Sequence, residues 1–306
     1  MNPDAGDSPA VEGRIVASFG RRVLVEDARG SRHPAMLARR RLKVVCGDRV
    51  LWRPAPGNDA EVTERLPRDN ELTRPDSRGR TEVLAANLSA LGVVCAPRPE
   101  PDLFMIDRYL AAAEQMGTRA LVVMNKSDLT GAPDLADRLA TYRRVGYPVL
   151  RVSAQERLGL DHLAAVLAGE TAIFVGQSGV GKSSLINALC PDAAMDTAAL
   201  SEASDEGRHT TTASVLHGLP GGGAVIDSPG VRDYAPGLVA REDVQAGFRE
   251  IADPATGCRF SNCMHLQEPV CQVKAAVASG AIDSRRYESY RRLVRLVDQL
   301  GRPDWA

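Results

Sequence analysis

The sequence lacks an apolar run approaching the ~20 residues that a membrane-spanning helix needs, and it shows no secretory signal. Residues 1–10 contain acidic residues and prolines instead of an apolar segment. We therefore expect a cytoplasmic protein without a membrane partner, in which thiols stay reduced. We expect residues 1–10 to form a disordered tail, and we assign them no function.

The chain also lacks a net charge of either sign, because 38 basic residues stand against 39 acidic ones. The chain as a whole therefore has no electrostatic signature of nucleic-acid binding. Basic residues are nevertheless concentrated in residues 14–53, which hold eleven Arg or Lys against three acids, a local net charge of +8. This basic segment either contacts a phosphate backbone or presents a solvated face, and charge alone favours neither.

A chain of 306 residues is long enough for two or three domains. Its N-terminal part, residues 11–68, consists of short β-type segments separated by Gly, Pro and Asp. The predicted strands are residues 14–17, 22–25, 48–52 and 60–65. This pattern predicts an all-β barrel, and an oligonucleotide-binding fold and an SH3-like barrel both fit it.

From about residue 70 the pattern changes to strands that alternate with helices. The predicted strands are residues 88–95, 119–125, 148–153, 172–175 and 223–227, and the predicted helices are residues 158–167 and 183–189. Such alternation indicates a mainly parallel sheet covered by helices. Residues 192–222 lack periodicity, which is typical of a switch loop. Near the C-terminus, residues 284–300 are predicted to form a basic helix.

Residues 176–183 read Gly-Gln-Ser-Gly-Val-Gly-Lys-Ser between an apolar strand and a helix. Glycines allow backbone N–H groups to wrap phosphates, so we predict a phosphate-binding loop here. Lys182 is expected to reach the β- and γ-phosphates, and the Ser183 hydroxyl to ligate Mg²⁺. The predicted contact residues are Gly176, Gln177, Ser178, Gly179, Val180, Gly181, Lys182, Ser183 and Ser184.

A guanine-reading motif precedes this loop in the chain. The Asp128 carboxylate can accept two hydrogen bonds from guanine N1–H and its amino group, which adenine cannot supply. One strand later, a backbone N–H at Ser153-Ala154 is expected to meet the guanine carbonyl. The predicted base-binding residues are Asn125, Lys126, Ser127, Asp128, Ser153 and Ala154. Because base reading comes before phosphate binding, the order predicts a circularly permuted GTPase.

Asp227-Ser228-Pro229-Gly230 follows an apolar strand after the phosphate loop. Asp227 is expected to hold Mg²⁺ through water, and the Gly230 N–H to sense the γ-phosphate. Alone, this turn sequence is common, and its place after a phosphate loop is what makes it informative.

Residues 207–212 read Gly-Arg-His-Thr-Thr-Thr between the two phosphate motifs. We expect Thr211 to close over Mg²⁺ and the γ-phosphate. Many GTPases carry a water-orienting glutamine after the Gly230 position, where this chain has Val231. His209 is the candidate catalytic substitute, although a surface histidine fits that position equally well.

Three thiolates and one imidazole lie within fourteen residues, as Cys258-x4-Cys263-x-His265-x5-Cys271. This closed set of four ligands predicts one structural Zn²⁺ rather than a catalytic metal, since no coordination position stays open. The other cysteines, which lie in apolar contexts typical of a protein core, are Cys46, Cys95 and Cys190.

The permuted order, residues 207–212, the zinc-ligand cluster and the preceding β module together resemble the RsgA (YjeQ) family of small-ribosomal-subunit-dependent GTPases over residues 11–300. The resemblance implies an oligonucleotide-binding barrel at residues 11–68, a circularly permuted GTPase domain at 69–236 and a mostly helical zinc-binding domain at 237–306. It further implies a factor that binds GTP or GDP with Mg²⁺ and assists late maturation of the small ribosomal subunit. Separately, we expect the protein to be a monomer.

In that family-based interpretation the partners are the small subunit and its ribosomal RNA, with the subunit stimulating hydrolysis and hydrolysis driving release. A second interpretation is a nucleotide-gated RNA-binding scaffold, in which GTP turnover is incidental. Val231 keeps this interpretation open because valine cannot orient water, whereas His209 favours the interpretation as an enzyme. A GTPase acting on the large subunit is disfavoured by the basic β module and the zinc cluster.

Overall fold

The computed structural model describes residues 9–54, 60–75, 81–130, 132–191, 214–228, 231 and 241–300. The strands within these ranges are β1 (Val11–Phe19), β2 (Arg22–Glu26), β3 (Arg32–Leu37), β4 (Arg49–Pro54), β5 (Ala60–Arg65), β6 (Glu71–Pro75), β7 (Thr81–Ala86), β8 (Ala90–Cys95), β9 (Arg119–Met124), β10 (Val149–Arg151), β11 (Thr171–Val175), β12 (Ser214–Gly218) and β13 (Ala224–Asp227). The helices are α1 (Leu103–Gln115), α2 (Ala132–Arg138), α3 (Ala140–Arg144), α4 (Leu160–Leu167), α5 (Lys182–Leu189), α6 (Arg241–Ala246), α7 (Arg249–Ala255), α8 (Gln272–Ala278) and α9 (Ser284–Leu300).

Strands β1–β5 close into a barrel. β1 pairs with β2 and β4, β3 pairs with β2 and β5, and β4 pairs with β5. Alternate residues such as Ile15, Val25 and Val62 fill the interior, where burial of apolar surface stabilises the barrel. The closed order 1-2-3-5-4 is that of an oligonucleotide-binding fold, which confirms this expectation and rejects the SH3-like alternative.

The second part of the chain forms a sheet with the order β10-β9-β8-β11-β13-β12. The first five strands are mutually parallel, and β12 is antiparallel to β13. All six residues of β8 are buried, as expected for a strand covered by helices on both faces. The predicted α/β domain is therefore present, with its motifs at the carboxyl ends of β9, β11 and β13.

The prediction of a loop over residues 192–222 is wrong for residues 214–218, whereas the described residues 219–222 do form a turn. Residues 192–213 lie outside the described residues, but 214–218 form β12, whose Val215 and Leu216 are buried. β12 pairs with β13 on one side and with β1 of the barrel on the other. The barrel and the α/β sheet are consequently one continuous hydrogen-bonded structure.

Helix α1 lies between the sheet and the C-terminal helices. Its Tyr109 and Leu110 pack into the core beside the sheet, while Ala111 and Ala112 pack against the C-terminal core. The Asp102 side chain accepts hydrogen bonds from the N–H groups of the first helical turn and thereby caps α1. One short helix thus belongs to two cores.

The C-terminal domain contains α6–α9 around Phe248, Ile251 and Tyr290. The prediction of a helix over residues 284–300 is confirmed at both ends. Throughout the described residues, no helix combines the length and apolar character needed to cross a membrane.

Candidate functional site

The predicted phosphate-binding loop connects β11 to α5, between a strand and a helix as its sequence pattern predicted. Gly176 has φ +139°, and a Cβ there would lie 2.1 Å from the carbonyl oxygen of Val94. Gly181 has φ +91°, and a Cβ there would lie 2.5 Å from Nδ2 of Asn125. Glycine suits both positions, because both φ values are positive and a Cβ would collide with the Val94 carbonyl oxygen or the Asn125 side chain.

Lys182 lies at the start of α5, with its ammonium group on the loop itself. Its Nζ donates to the carbonyl oxygens of Gly176 at 2.6 Å and Gln177 at 2.8 Å. Ser183 and Ser184, which follow it on the first helical turn, are exposed. A cation, a turn rich in glycine and a helix N-terminus are therefore combined at one place, which favours an anionic ligand.

Asn125 joins three segments that are far apart in the chain. Its Nδ2 donates to the carbonyl oxygen of Val180 at 3.0 Å, inside the phosphate loop. Its Oδ1 accepts from the N–H of Ala154 at 3.1 Å, and its own N–H donates to Cys95 at 2.8 Å. The side chain is buried, so this one residue fixes the base-reading motif against the phosphate loop.

Lys126 adopts φ +55°, a left-handed conformation that costs a non-glycine residue about 1–3 kcal/mol. Its Nζ donates to the carbonyl oxygens of Gly179 at 2.6 Å and Arg98 at 3.1 Å. The lysine side chain therefore crosses the phosphate loop, and two hydrogen bonds from its ammonium group hold it there.

The remaining base-motif residues differ from one another in burial. Asp128 is exposed, and none of the described groups holds its carboxylate. Ser127 is half-buried, and its N–H donates to the carbonyl oxygen of Val152 at 3.0 Å. The carboxylate is thus presented to solvent on a backbone fixed by two neighbouring strands.

The structure gives an internal partner to each backbone N–H group at Ser153-Ala154, where the sequence predicts a contact with the guanine carbonyl. The Ser153 N–H donates to the carbonyl oxygen of Leu158 at 2.9 Å, and the Ala154 N–H donates to Asn125. Both donors are therefore paired within the protein. The observed role of this turn is to orient Asn125.

Asp227 ends β13 and is half-buried, and Ser228 after it is buried. The Val231 N–H donates to the Ser228 carbonyl oxygen at 3.2 Å, and the valine side chain is in the core. Three predicted residues, His209, Thr211 and Gly230, lie outside the described residues.

Sequence reasoning missed the segment between β8 and α1. Gln177 of the phosphate loop accepts from the Asp102 N–H at 3.0 Å through Oε1 and donates to the Glu100 carbonyl oxygen at 3.3 Å through Nε2. Together with the Lys126–Arg98 contact, this segment flanks the loop. The sequence did offer one signal for this segment, because it is rich in proline and directly follows the buried strand β8. In parallel sheets, ligands bind at the carboxyl ends of the strands, which is where this segment begins.

The four predicted zinc ligands come together. Their ligand atoms all lie within 4.8 Å of one another. His265 Nδ1 lies 3.5 Å from Cys258 Sγ and 3.3 Å from Cys271 Sγ, and those two sulphurs are 3.8 Å apart. In tetrahedral zinc sites the Zn–S distance is about 2.3 Å and the Zn–N distance about 2.0–2.1 Å. This geometry requires about 3.6 Å between a ligand nitrogen and a ligand sulphur, and about 3.8 Å between two ligand sulphurs. The residues therefore fit a closed zinc site.

Groups from the surrounding helices hold the loop that carries these ligands. Tyr287 and Tyr290 of α9 donate through their hydroxyls to the carbonyl oxygens of His265 at 2.5 Å and Met264 at 2.7 Å. The Glu268 carboxylate accepts from backbone N–H groups of the loop, including Met264 at 2.7 Å. Burial lowers the pKa of His265, which favours the neutral imidazole that metals bind. Apart from the spacing of the two tyrosines, the sequence offered no signal for these hydrogen bonds to the ligand-carrying loop.

Comparison with known proteins agrees with this arrangement. The sequence profile of the family described as RsgA GTPase matches residues 65–236. A Pseudomonas fluorescens protein named small ribosomal subunit biogenesis GTPase RsgA is 45% identical over 300 residues, covering 95% of this chain and 87% of that protein. The chain belongs to the RsgA GTPase family. The Azotobacter vinelandii protein of the same name is 44% identical over 300 residues, again covering 95% of this chain and 87% of that protein.

Two solved structures resemble this RsgA family member. The crystal structure of YjeQ from Thermotoga maritima has a TM-score of 0.77 at 31% identity, covering 96% of this chain and all of that one. The structure of YloQ, described as a circularly permuted GTPase, has a TM-score of 0.74 at 24% identity with full coverage of both chains, and it supports the fold alone. The prediction of a circularly permuted GTPase fold is confirmed.

Proposed function

We propose that this RsgA family GTPase binds the small ribosomal subunit and assists its late maturation, with hydrolysis stimulated by the subunit and driving release. Its relatives from Pseudomonas fluorescens and Azotobacter vinelandii, which are named small ribosomal subunit biogenesis GTPases, support this partner. The observation that carries the nucleotide site is the Asn125 side chain, which ties the phosphate loop at Val180 to the turn at Ala154. That contact supports the assignment of the separated motifs to one guanine-nucleotide site.

For base recognition, Asp128 is the proposed selectivity residue, and Lys126 and Asn125 shape the site around it. The exposed Asp128 carboxylate accepts the two guanine donors, and the Lys126 side chain links the base side to the phosphate loop. Ser127 contributes through its fixed backbone. Ser153 and Ala154 act indirectly, through the orientation of Asn125.

For phosphate binding, the loop Gly176–Ser184 surrounds the anion with backbone N–H groups, and Lys182 supplies a positive charge. Mg²⁺, when bound, neutralises charge on the phosphates, and its proposed ligands are Ser183, Thr211 and, through water, Asp227. Gly230 is the proposed γ-phosphate sensor, and His209 is the candidate group that orients the attacking water.

For the C-terminal domain, we propose one structural Zn²⁺. The ligands are Cys258, Cys263, His265 and Cys271. Three thiolates and one imidazole close the tetrahedron and leave no position for substrate. The metal would supply folding free energy to a domain whose apolar core is small.

For ribosomal RNA, the proposed contact is the exposed group Arg39, Arg40, Arg41 and Lys43 after β3. No carboxylate among the described residues pairs with these side chains. Other basic residues of the segment are neutralised, as in the pairs Arg14–Glu26 and Arg53–Glu61. The exposed group is therefore the part of the basic segment that can meet phosphates.

The division of the chain into domains belongs to the same proposal. It comprises a barrel at 11–68, a GTPase domain at 69–236 and a zinc-binding domain at 237–306, in a monomeric cytoplasmic protein. The second candidate function is a nucleotide-gated RNA-binding scaffold, favoured by the buried side chain of Val231, which cannot orient water.

Measuring GTP turnover with and without purified small ribosomal subunits tests the proposal. We expect the subunits to raise turnover, and Lys182→Ala to abolish the stimulated reaction while the protein still melts cooperatively. Lys274→Ala, a lysine change in the zinc-binding domain, is the matched control and should retain turnover. GTP-dependent subunit binding without any stimulated turnover would support the scaffold instead.

A further inference from the structure

The barrel and the GTPase sheet are joined by direct pairing of two strands. β1 of the barrel pairs antiparallel with β12, with Ala17 opposite Val215 and Ser18 opposite Ser214. β12 in turn pairs with β13, the strand that ends at Asp227. A displacement of the barrel would therefore move β12, which is paired with the strand that ends at Asp227, the proposed Mg²⁺-binding residue. No flexible linker lies between β1 and β12 in this pairing.

A second barrel contact reaches the same residue of β12. The Cys46 thiol donates to the carbonyl oxygen of Ser214 at 3.0 Å, and Cys46 is fully buried. The loop that carries Cys46 is rigid, because the buried Asp48 carboxylate accepts from Val45 N–H at 2.8 Å and from Arg68 Nε at 2.6 Å. Ser214 is thus held from the barrel side by a fixed loop.

On its other side Ser214 contacts the turn that follows β13. Its hydroxyl donates to the Ser228 hydroxyl at 2.9 Å. Ser228 is only 3% exposed and directly follows Asp227. Since a buried hydroxyl without a partner is unfavourable, this contact fixes the position of Ser228, the residue directly after the proposed Mg²⁺-binding Asp227.

We propose that Ser214 is a positioning residue for GTP hydrolysis, which holds the Asp227-Ser228 turn and connects it to the barrel. When the barrel docks on the small subunit, β1 and Cys46 constrain Ser214, and the Ser214–Ser228 hydrogen bond constrains the turn. This inference rests on the proposed function, and it names the route by which a partner bound to the barrel acts on hydrolysis.

Steady-state hydrolysis by full-length variants with purified small subunits tests the hydroxyl contact. We expect Ser214→Ala to lower kcat by about tenfold, the factor that corresponds to 1.36 kcal/mol in the barrier. KM for GTP should stay within about twofold of the parental value, because the substitution affects the hydrolysis step and not the binding of GTP in the ground state. A merely structural role would instead lower the melting temperature and leave kcat of the folded enzyme unchanged.

The double variant Ser214→Ala/Ser228→Ala distinguishes a coupled pair from two independent serines. If the hydroxyls act on each other, the double variant loses no more kcat than one single variant does. Losses that multiply would overturn the proposal. Ser289→Ala, a similarly buried serine in α9, is the matched control and should keep the parental kcat.

The barrel side is tested at Cys46. Cys46→Ala removes the donor to Ser214 and should reduce the ratio of subunit-stimulated to unstimulated kcat, whereas Cys46→Ser keeps a donor and should restore it. Equal ratios for the parent, Cys46→Ala and Ser214→Ala would overturn the inference while leaving the proposed function intact. A parent that small subunits do not stimulate would overturn the proposed function, and with it the barrel route.

Discussion

Arg286 in α9 donates from Nη1 to Oδ1 of Asp107 in α1 across 2.8 Å, and each side chain is only 1% exposed. The same guanidinium donates to both oxygens of Glu250, at 2.5 and 2.9 Å. Arg285 Nη1 and the Tyr142 hydroxyl complete the partners of Asp107, at 2.7 and 2.9 Å. Two arginines and two carboxylates thus form a neutral cluster between helix α1 and the C-terminal helices α7 and α9.

Burial alone lowers the pKa of the Arg286 guanidinium. Its hydrogen bonds to Glu250 and the charge of Asp107 outweigh that effect, so the pKa is held above its usual range. The cluster also has a neighbour at the nucleotide site, because α1 begins beside Asp102, whose N–H donates to Gln177 of the phosphate loop. One helix therefore contacts the phosphate loop at its start and the zinc-binding domain along its length.

We predict that Arg286→Ala lowers the free energy of unfolding by about 3–5 kcal/mol, because two carboxylates lose their buried partner. Urea denaturation followed by circular dichroism measures the change. Arg291→Ala is the control, since its pair with Glu288 is exposed and should contribute about 0–1 kcal/mol. Equal unfolding midpoints for the two variants would contradict a stabilising role of the cluster.

Much of the fold could be predicted because local patterns determined it. The apolar runs of β8, β9 and β11 and the bounds of α9 were read directly from the sequence. Strand β3 was missed because Pro34 lies in its middle and proline is rare inside strands. The pairing of β1 with β12 was also missed, since no local signal links residues that are about 200 positions apart.

The candidate site could be predicted residue by residue but not contact by contact. The sequence identified Asn125, yet only the structure shows that its side chain takes the Ala154 N–H expected for guanine. Similarly, the sequence shows Arg285 and Arg286 only as charges of a basic helix, whereas in the structure both donate to Asp107. Such partners come from packing between distant segments, which composition and spacing do not encode.

Base selectivity should depend on Asp128. We expect Asp128→Asn to weaken GTP binding by about 10- to 100-fold, because one charged acceptor of two hydrogen bonds is lost. Titration with fluorescent guanine and adenine nucleotides measures both affinity and discrimination. Asp137→Asn, on the exposed surface of α2, is the control for the charge change and should bind as the parent does. Unchanged discrimination in Asp128→Asn would remove this assignment.

The zinc ligands should determine the stability of the C-terminal domain. We expect one zinc per chain by elemental analysis, and loss of protease resistance in that domain after chelation, because structural zinc contributes about 10–16 kcal/mol of apparent binding free energy. Cys263→Ser should reproduce the effect without a chelator. The GTPase domain provides the internal control, as its fragments should remain resistant. A metal-free protein with an equally resistant C-terminal domain would be incompatible with the assignment.

Salt dependence should separate the exposed arginines from the paired ones. If Arg39, Arg40 and Arg41 each meet a phosphate, their joint replacement by Ala removes three counterion-releasing contacts. The slope of the logarithm of subunit affinity against the logarithm of salt concentration should then fall by about 2–3. Arg53→Ala is the matched control in the same barrel, because Glu61 already neutralises that arginine at 3.0 Å and the slope should be nearly unchanged. Affinities measured between low and moderate salt give both slopes, and a triple variant with the parental slope would mean that the three arginines face only solvent.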